Sequence, residues 1–292
     1  MATIIPITSV CNQCCIYCSS YDISIPSDDL IKKQILSEKE EVVFTGGEPT
    51  LRKDINDIIK IARNNKVKEI ELQTNGVMLC YKSLVRELID SGVTMFNVAM
   101  PSHIEEISDK ITQTHGLFEK RLQGIRNLLE LNANVRITMV INKLNSDTLY
   151  EYTKFIHLNF PEIKILELNF IKILGRAKLN KWLVPKLSNI KNELRKSMAY
   201  CKENKINLLI DGIPLCHMQN YEEYSIDAIK FIMNRQIFFE TKEKNEKCLS
   251  CSLTKICRGF REGYKDIYGS NEFIPSSQSL DDIQRKILSI DR

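Results

Sequence analysis

No apolar run in this 292-residue sequence approaches the length of a membrane span. Nor does a basic stripe concentrate its net charge of +4, and both absences argue against membrane and nucleic-acid partners. The N-terminus, MATIIPIT, runs almost directly into cysteines with no secretory signal pattern, so a cytoplasmic location is expected. Histidine is scarce. Four residues, scattered along the chain, make no histidine-built metal centre, and His217 reads as an ordinary polar loop residue. There is no low-complexity tract and no internal repeat beyond a strand–helix period.

Cysteine, in contrast, is abundant: ten residues, of which Cys11, Cys14, Cys15 and Cys18 crowd one short stretch and Cys248, Cys251 and Cys257 another. Disulfides do not persist in a reducing compartment, so clustered thiols point to metal or cluster binding. Cys80, Cys201 and Cys216 stand apart.

With 43% hydrophobic residues the chain can build a substantial core. Up to about residue 210, short β-branched runs alternate with helical patterns. Strands are predicted over 3–7, 41–45, 69–73, 95–99, 135–141 and 165–170. Between them apolar residues recur at helical spacing: Ile55, Ile58, Ile59 and Ala62; Leu84, Val85, Leu88 and Ile89; Leu122, Ile125, Leu128 and Leu129; Leu149, Tyr152, Phe155 and Ile156; and finally Leu187, Ile190 and Leu194. Six such units imply an α/β fold, a parallel sheet curled into a partial (β/α)6 barrel, with its site at the C-terminal strand ends. Gly212-Ile213-Pro214 breaks the alternation, which places a domain boundary near 210. Residues 1–210 are then the barrel and 211–292 a small cysteine-rich domain.

Cys11, Cys15 and Cys18 have the spacing C-x3-C-x2-C directly after the first strand. Three thiolates on one loop can hold three irons of a [4Fe–4S] cube and leave the fourth open to a small molecule. Cys14, adjacent to Cys15, is read as a bystander. A zinc loop is the alternative. The second strand runs into Gly46-Gly47-Glu48-Pro49, where glycines permit close backbone approach and a carboxylate can meet a ligand ammonium. A plain strand-to-helix turn is the alternative there.

Together, C-x3-C-x-aromatic-C with Tyr17 as the aromatic, and GGEP about thirty residues later, resemble the radical S-adenosylmethionine (radical SAM) superfamily over roughly residues 1–210. The resemblance implies that SAM chelates the open iron of a [4Fe–4S] cluster and is cleaved reductively to a 5′-deoxyadenosyl radical, which abstracts hydrogen from substrate. It further implies that Gly46, Gly47 and Glu48, with Pro49, meet the methionine amino group, and that Asn75 faces the same mouth. Ser102 is expected at the ribose, Arg136 at the methionine carboxylate and Gly175 at the adenine. Cys80 and Cys201 are read as small core residues, with a thiol hydrogen donor as the alternative for one of them.

Cys248-x2-Cys251-x5-Cys257 resembles the SPASM/Twitch extension behind many radical SAM barrels. A full SPASM domain carries a further cysteine, but none follows Cys257 here. With Cys216 the set is four, which implies one closed auxiliary [4Fe–4S] cluster in a Twitch-like arrangement. Structural zinc is again the alternative. The implied function is oxidative modification of a peptide or small molecule, as in peptide maturases or small-molecule dehydrogenases, with a reductant such as flavodoxin or ferredoxin. An electron carrier without SAM chemistry and a zinc-stabilised binding module are the competing classes.

Overall fold

The structure, a computed structural model, describes residues 2–234 and 242–290. Seven parallel-type strands carry the fold: β1 Ala2–Thr8, β2 Glu41–Gly46, β3 Glu69–Thr74, β4 Met95–Ala99, β5 Val135–Ile141, β6 Ile165–Phe170 and β7 Leu208–Asp211. Strand order follows chain order, β1 to β7. The helices between them are α1 Asp28–Ser37, α2 Ile55–Asn64, α3 Lys82–Ser91, α4 Glu105–Thr112, α5 Phe118–Glu130, α6 Leu149–Asn159, α7 Arg176–Leu179 and α8 Leu187–Glu203. After β7 come α9 Ile226–Ile232, a short pair of strands β8 Lys242–Glu243 and β9 Phe260–Arg261, then α10 Tyr264–Tyr268 and α11 Leu280–Leu288. No helix among the described residues is long and apolar enough to cross a membrane.

The chain is compact in two units, Met1–Met139 with Ile156–Lys164, and Val140–Phe155 with Ile165–Arg292. In the first, β1 pairs with β2, β2 with β3, β3 with β4 and β4 with β5, all parallel. Central strand residues Val42, Val43, Phe44, Ile70, Leu72, Phe96 and Val98 are buried, as a sheet covered on both faces requires. Pro6 is tolerated because β1 stands at the end of the order, where a missing N–H costs no ladder bond. The register slips between Pro6 and Thr8, so that Thr8 rather than Ile7 meets Gly46. The helices close over this sheet on predictable stripes: Ile55, Ile58, Ile59 and Ala62 of α2, Val85 and Leu88 of α3, and Leu122, Ile125 and Leu128 of α5 are all buried. Each fully buried aliphatic side chain contributes roughly 1.5–3 kcal/mol. Gly92, at φ 125°, ends α3 in a conformation that only glycine adopts easily.

In the second unit β6 pairs in parallel with β7, and β8 with β9 antiparallel. Helix α8 buries Leu187, Ile190, Leu194 and Met198.

The predicted strands all form, most within a residue of the expected limits. A seventh, β7, forms just where the alternation was expected to end. Its four residues are too few for period or length to separate them from the turn that follows. Helices α1 and α4 carry no clean stripe in the sequence. In α1, Leu30 and Leu36 are exposed while Ile31 and Ile35 are buried, so its four aliphatics straddle two faces.

Candidate functional site

The first cysteines lie on a loop without regular structure, residues 9–27, between β1 and α1. Such a loop has no ladder of its own, and its backbone is held from three directions. Gly47 N–H donates to Thr8 O at 2.6 Å and Glu48 N–H to Val10 O at 2.7 Å. On the other side Cys14 N–H donates to Thr112 O at 2.9 Å and Ile16 N–H to Ile111 O at 3.0 Å, at the end of α4. From the loop after β3, the Asn75 Nδ2 group donates to Asn12 Oδ1 at 2.6 Å and lies 3.9 Å from Cys11 Sγ.

The glycine pair is required by this packing. A Cβ at Gly46 would fall 2.3 Å from Thr8 O, and one at Gly47 2.2 Å from Val10 O. The backbone that the glycines admit so closely is the chain's own, at Thr8 and Val10 on the segment leading into Cys11.

Burial pushes the Cys15 thiol up to about 12, and the neighbouring Cys18 and Cys11 sulfurs push the same way. Cys11 is likewise raised, first by burial, against a lowering hydrogen bond from the Gln13 backbone. Three thiols that each oppose the others' ionisation become a ligand set when a cationic centre neutralises them. The donor set therefore fits a thiolate-bound metal cluster. Cys14 is exposed on the same loop, and Tyr17 is half-buried.

Glu48 departs from expectation. Its side chain is fully buried, and its carboxylate accepts four hydrogen bonds from the protein itself. Thr50 N–H, Thr50 Oγ1 and Thr74 Oγ1 donate to Oε1 at 3.1, 2.6 and 2.7 Å, and Asn75 N–H donates to Oε2 at 2.6 Å. Three of the four bonds fall on Oε1 and one on Oε2, so the protein itself takes up most of what this carboxylate can accept. Glu48 is a staple between the ends of β2 and β3. Pro49 is buried as the first residue of the short 3-10 turn Pro49–Leu51.

Ser102 is fully buried beyond β4, and its Oγ accepts from Ile104 N–H at 3.0 Å, the turn-forming role of a hydroxyl before a helix. Arg136 pairs with buried Glu71 at 3.4 Å. Around this pair Gln73 and Asn97 donate to Glu71, and Thr138 donates to Asn97, which makes a polar patch on β3, β4 and β5. Of the residues expected at the mouth, Gly46, Gly47, Glu48 and Asn75 meet the cysteine loop or each other directly. Arg136 is instead engaged by Glu71. Gly175, in the second unit, takes φ 52° and ψ −127° before α7, a backbone region reserved to glycine.

The sequence reading missed Arg121. It is among the largest fully buried side chains, on α5, with Nε donating to Asn75 O at 2.9 Å and Nη1 to Ser108 Oγ at 3.0 Å. Its signal was available: Arg121 shares the apolar face of Phe118, Leu122 and Ile125.

In the second unit Cys216, Cys248, Cys251 and Cys257 line one cavity together with Phe260 and Phe273. Burial pushes Cys216 up to about 12, and the charges of Cys257, Cys251 and Cys248 add to it. Burial also raises Cys257, against hydrogen bonds from the Leu215 and Gly259 backbone. Among the described residues no three of these thiols lie mutually within 4.8 Å. Around one tetrahedral zinc the sulfurs would be about 3.8 Å apart, from a Zn–S length of about 2.3 Å. Beside the cavity lies a buried ionic group that the sequence reading did not foresee. Lys242 Nζ sits 2.7 Å from both Asp211 Oδ1 and Asp227 Oδ1, and Arg261 pairs with the other Asp211 oxygen.

Cys201 is fully buried on α8, among the core residues of that helix, and burial pushes its thiol up to about 12. Cys80 lies on the 3-10 turn Met78–Cys80, its carbonyl bonded by Asn127 Nδ2 at 2.9 Å.

Residues 5–156 match the profile of the Radical SAM superfamily. This chain belongs to the radical SAM superfamily. Radical SAM proteins use a [4Fe–4S] cluster and SAM. Among curated proteins the chain is similar to a probable GTP 3′,8-cyclase of Methanocaldococcus jannaschii, 25% identical over 262 residues, covering 86% of this chain and 80% of that one. It is 28% identical over 273 residues to the GTP 3′,8-cyclase of Helicobacter pylori, covering 79% of this chain and 84% of the relative. With that of Clostridium perfringens it shares 33% over 179 residues, and there it spans only 54% of the relative. The same radical SAM fold is seen in anSMEcpe with bound AdoMet and a Cp18Cys peptide, TM-score 0.66 at 15% identity over 99% of this chain and 96% of that one. It recurs in Streptococcus suis SuiB bound to S-adenosylmethionine, TM-score 0.62 at 16% identity over 94% and 76%.

Proposed function

We propose that this radical SAM enzyme holds its catalytic cluster at Cys11, Cys15 and Cys18 and abstracts hydrogen from a peptide or polar small molecule. The observation that carries the reading is the pinning of the three-thiol loop by the Gly47 and Glu48 amides, the end of α4 and the Asn75 side chain. When bound, the cluster supplies the electron that cleaves SAM to methionine and a 5′-deoxyadenosyl radical. Gly46 and Gly47 shape the backbone entering the cysteine loop and would meet the methionine amino group, and Asn75 orients the loop around Cys11. Ser102, Tyr17 and, once released from Glu71, Arg136 are the proposed further contacts to SAM. The polar patch of Glu71, Gln73, Asn97, Arg136 and Thr138 suits a polar substrate more than a lipid. A flavodoxin- or ferredoxin-type protein is the proposed electron donor.

We further assign Cys216, Cys248, Cys251 and Cys257 to an auxiliary [4Fe–4S] cluster, so that residues 1–210 serve the SAM chemistry and 211–292 the second cluster. Four thiolates saturate such a cluster and leave no iron for substrate, which suits an electron-accepting role and a net oxidation. A second reading, nucleotide cyclisation, is favoured by the names of the curated relatives. Anaerobic reconstitution followed by incubation with SAM and a reductant tests the assignment. About eight irons per chain and release of 5′-deoxyadenosine are expected, with about four irons left after replacing Cys11, Cys15 and Cys18 by Ala. A protein that loads zinc and no iron refutes it. Adding GTP to the same assay separates the two substrate readings: conversion to a cyclised nucleotide selects the second.

A further inference from the structure

The small net charge of the chain hides one uneven stretch. Between Glu167 and Glu193 stand six cationic residues, Lys172, Arg176, Lys178, Lys181, Lys186 and Lys191, and no carboxylate. Like charges so placed repel one another, and an anionic partner relieves the repulsion. The stretch leaves the C-terminal end of β6, the strand end at which sites of such folds form.

The middle of the stretch is a fixed platform rather than a loose loop. Ala177 N–H donates to Leu174 O at 3.0 Å and Asn180 N–H to Arg176 O at 3.1 Å. Leu183 N–H donates to Asn180 O at 2.9 Å and Val184 N–H to Lys181 O at 3.1 Å. Ala177, Leu183 and Val184 are fully buried and anchor these turns. Lys143 N–H donates to Leu183 O at 2.7 Å, and the Tyr268 hydroxyl donates to Val184 O at 2.8 Å. On this rigid base Leu179 is 75% exposed and Trp182, the chain's single tryptophan, 54%. Lys178 and Lys181, each next to one of them in the chain, are exposed as well. Among the described residues neither lysine pairs with a carboxylate, and the indole meets no other ring.

We propose that this platform, residues 176–183, is a docking site for an acidic peptide segment that carries an apolar side chain. The inference rests on the reading of the chain as a radical SAM enzyme, and it selects the peptide from the two substrate classes. Carboxylates of the peptide meet Lys178 and Lys181, and its apolar side chain covers Trp182 and Leu179. Scattered apolar residues on a surface are ordinary, but a tryptophan held on a fixed turn among cations has the character of an interface anchor. The two exposed cations of the platform are too few for a nucleic-acid backbone, whose binding rests on about six to ten phosphate contacts. Two apolar side chains are too few for the continuous face by which a helix enters a lipid surface. A peptide needs no more than an apolar anchor and a charged rim.

The test is a titration of the reconstituted full-length protein into a fluorescein-labelled synthetic peptide of Glu, Leu and Ser, followed by anisotropy. Trp182 emission is recorded in parallel with the unlabelled peptide, and as the only indole it reports on this platform alone. Binding that weakens with added salt, with a blue shift of the Trp182 emission, is expected. Combining Lys178→Glu with Lys181→Glu should weaken binding about tenfold or more, because like charges then face each other. Combining Lys32→Glu with Lys33→Glu, the same change of net charge on exposed residues of α1, should leave binding unchanged. Trp182→Ala should weaken it in the anisotropy assay. Equal affinity for a peptide with Gln in place of Glu overturns the proposal, as does equal weakening by the two double variants. Wild-type protein that ignores the acidic peptide overturns it too. Tighter binding of a single-stranded oligonucleotide or of phosphatidylserine vesicles, lost in the Lys178 and Lys181 variant, overturns it in favour of those partners. Release of 5′-deoxyadenosine from SAM under reductant is measured in the same preparations. A protein that holds iron yet releases none overturns the enzymatic reading, whereas one that releases it and ignores the peptide overturns the docking site alone.

Discussion

Replacing Glu48 by Gln or Ala should destabilise the protein even with no metal and no SAM present. The carboxylate is fully buried and receives two backbone N–H groups and two hydroxyls. Hydrogen bonds to a charged group are worth about 1.5–3 kcal/mol, and an abandoned buried donor costs about 1–3 kcal/mol. The hydroxyls of Thr50 and Thr74 can turn to other acceptors, whereas the Thr50 and Asn75 amides cannot. Two stranded amides give an expected loss of about 3–5 kcal/mol for Glu48→Ala. Glu48→Gln retains one carbonyl oxygen for the Oε1 donors but sets an NH2 group against the Asn75 N–H, for an expected loss of about 2–3 kcal/mol. The assay is urea unfolding of the anaerobic, metal-free protein, read as a shift in midpoint at constant slope. Because Asn75 also steadies Asn12 and Cys11, iron uptake at the first site should fall in parallel. A Glu48→Ala protein within about 0.5 kcal/mol of wild type, the scatter of an ordinary surface substitution, with normal iron and weakened SAM affinity, would refute the staple and restore Glu48 as a ligand to the ammonium.

Gly47→Ala should lose the first cluster and keep the second, because its Cβ would stand 2.2 Å from the Val10 carbonyl oxygen and only a shift of the chain entering Cys11 relieves the clash. Iron analysis giving about four irons, with the auxiliary signal intact, is the expected result. Asp211 makes stability pH-dependent. Burial alone would raise its carboxyl, but the Arg261 and Lys242 cations outweigh burial and hold it well below the usual carboxylate range. Its folded value lies below the unfolded value of about 3.9. The contribution is therefore complete above about pH 4 and is lost as the pH falls through that value toward the folded one. Asp211→Asn should unfold about 3 kcal/mol more easily at pH 7, the typical cost of breaking a buried ion pair, and its stability should change less between pH 5 and 3 in denaturant titrations.

The strands were legible because their signal is local. Runs such as Val42-Val43-Phe44 and Phe96-Asn97-Val98 are buried on both faces, and β-branched or aromatic residues mark them without reference to anything distant. The cysteines were legible because their spacing is chemistry in itself. What was not legible is what a side chain touches. Glu48 beside two glycines reads as a ligand contact, yet Thr74 and Asn75, twenty-six and twenty-seven positions away, take up its carboxylate. Arg136 reads as a free cation at a strand end, but Glu71 on a strand two places over engages it. Arg121 could have been suspected, since a charge on an apolar helical face needs a reason, although its partners at Asn75 and Ser108 lie on other segments. Strand β7 escaped for a different reason, as four residues carry too short a period to read.

The loop that bears the first three cysteines has no regular structure, and this raises the question of why it should hold one shape before metal arrives. Ordering a residue's backbone costs roughly 1–2 kcal/mol, so ordering residues 11–18 at the moment of metal binding would subtract on the order of 10 kcal/mol from the affinity. Hydrogen bonds from Gly47, Glu48 and Asn75 on one side, and to Thr112 and Ile111 on the other, meet that cost during folding instead. The glycine pair then has a purpose distinct from contact with a ligand: it lets β2 come close enough for its amides to reach Thr8 and Val10. Glu48 fixes the same amides to the loop after β3, and Arg121 ties that loop to α4. The C-terminal cysteines are served by a comparable device. Ser276 N–H donates to Cys251 Sγ at 3.3 Å, and the buried ion pairs of Lys242 and Arg261 with Asp211 bind the strands flanking the cavity to β7. Glycines and buried charges thus order the thiols of the first unit, and buried charges those of the second; under the proposed assignment, substitutions at these residues should lower iron content without touching a cysteine.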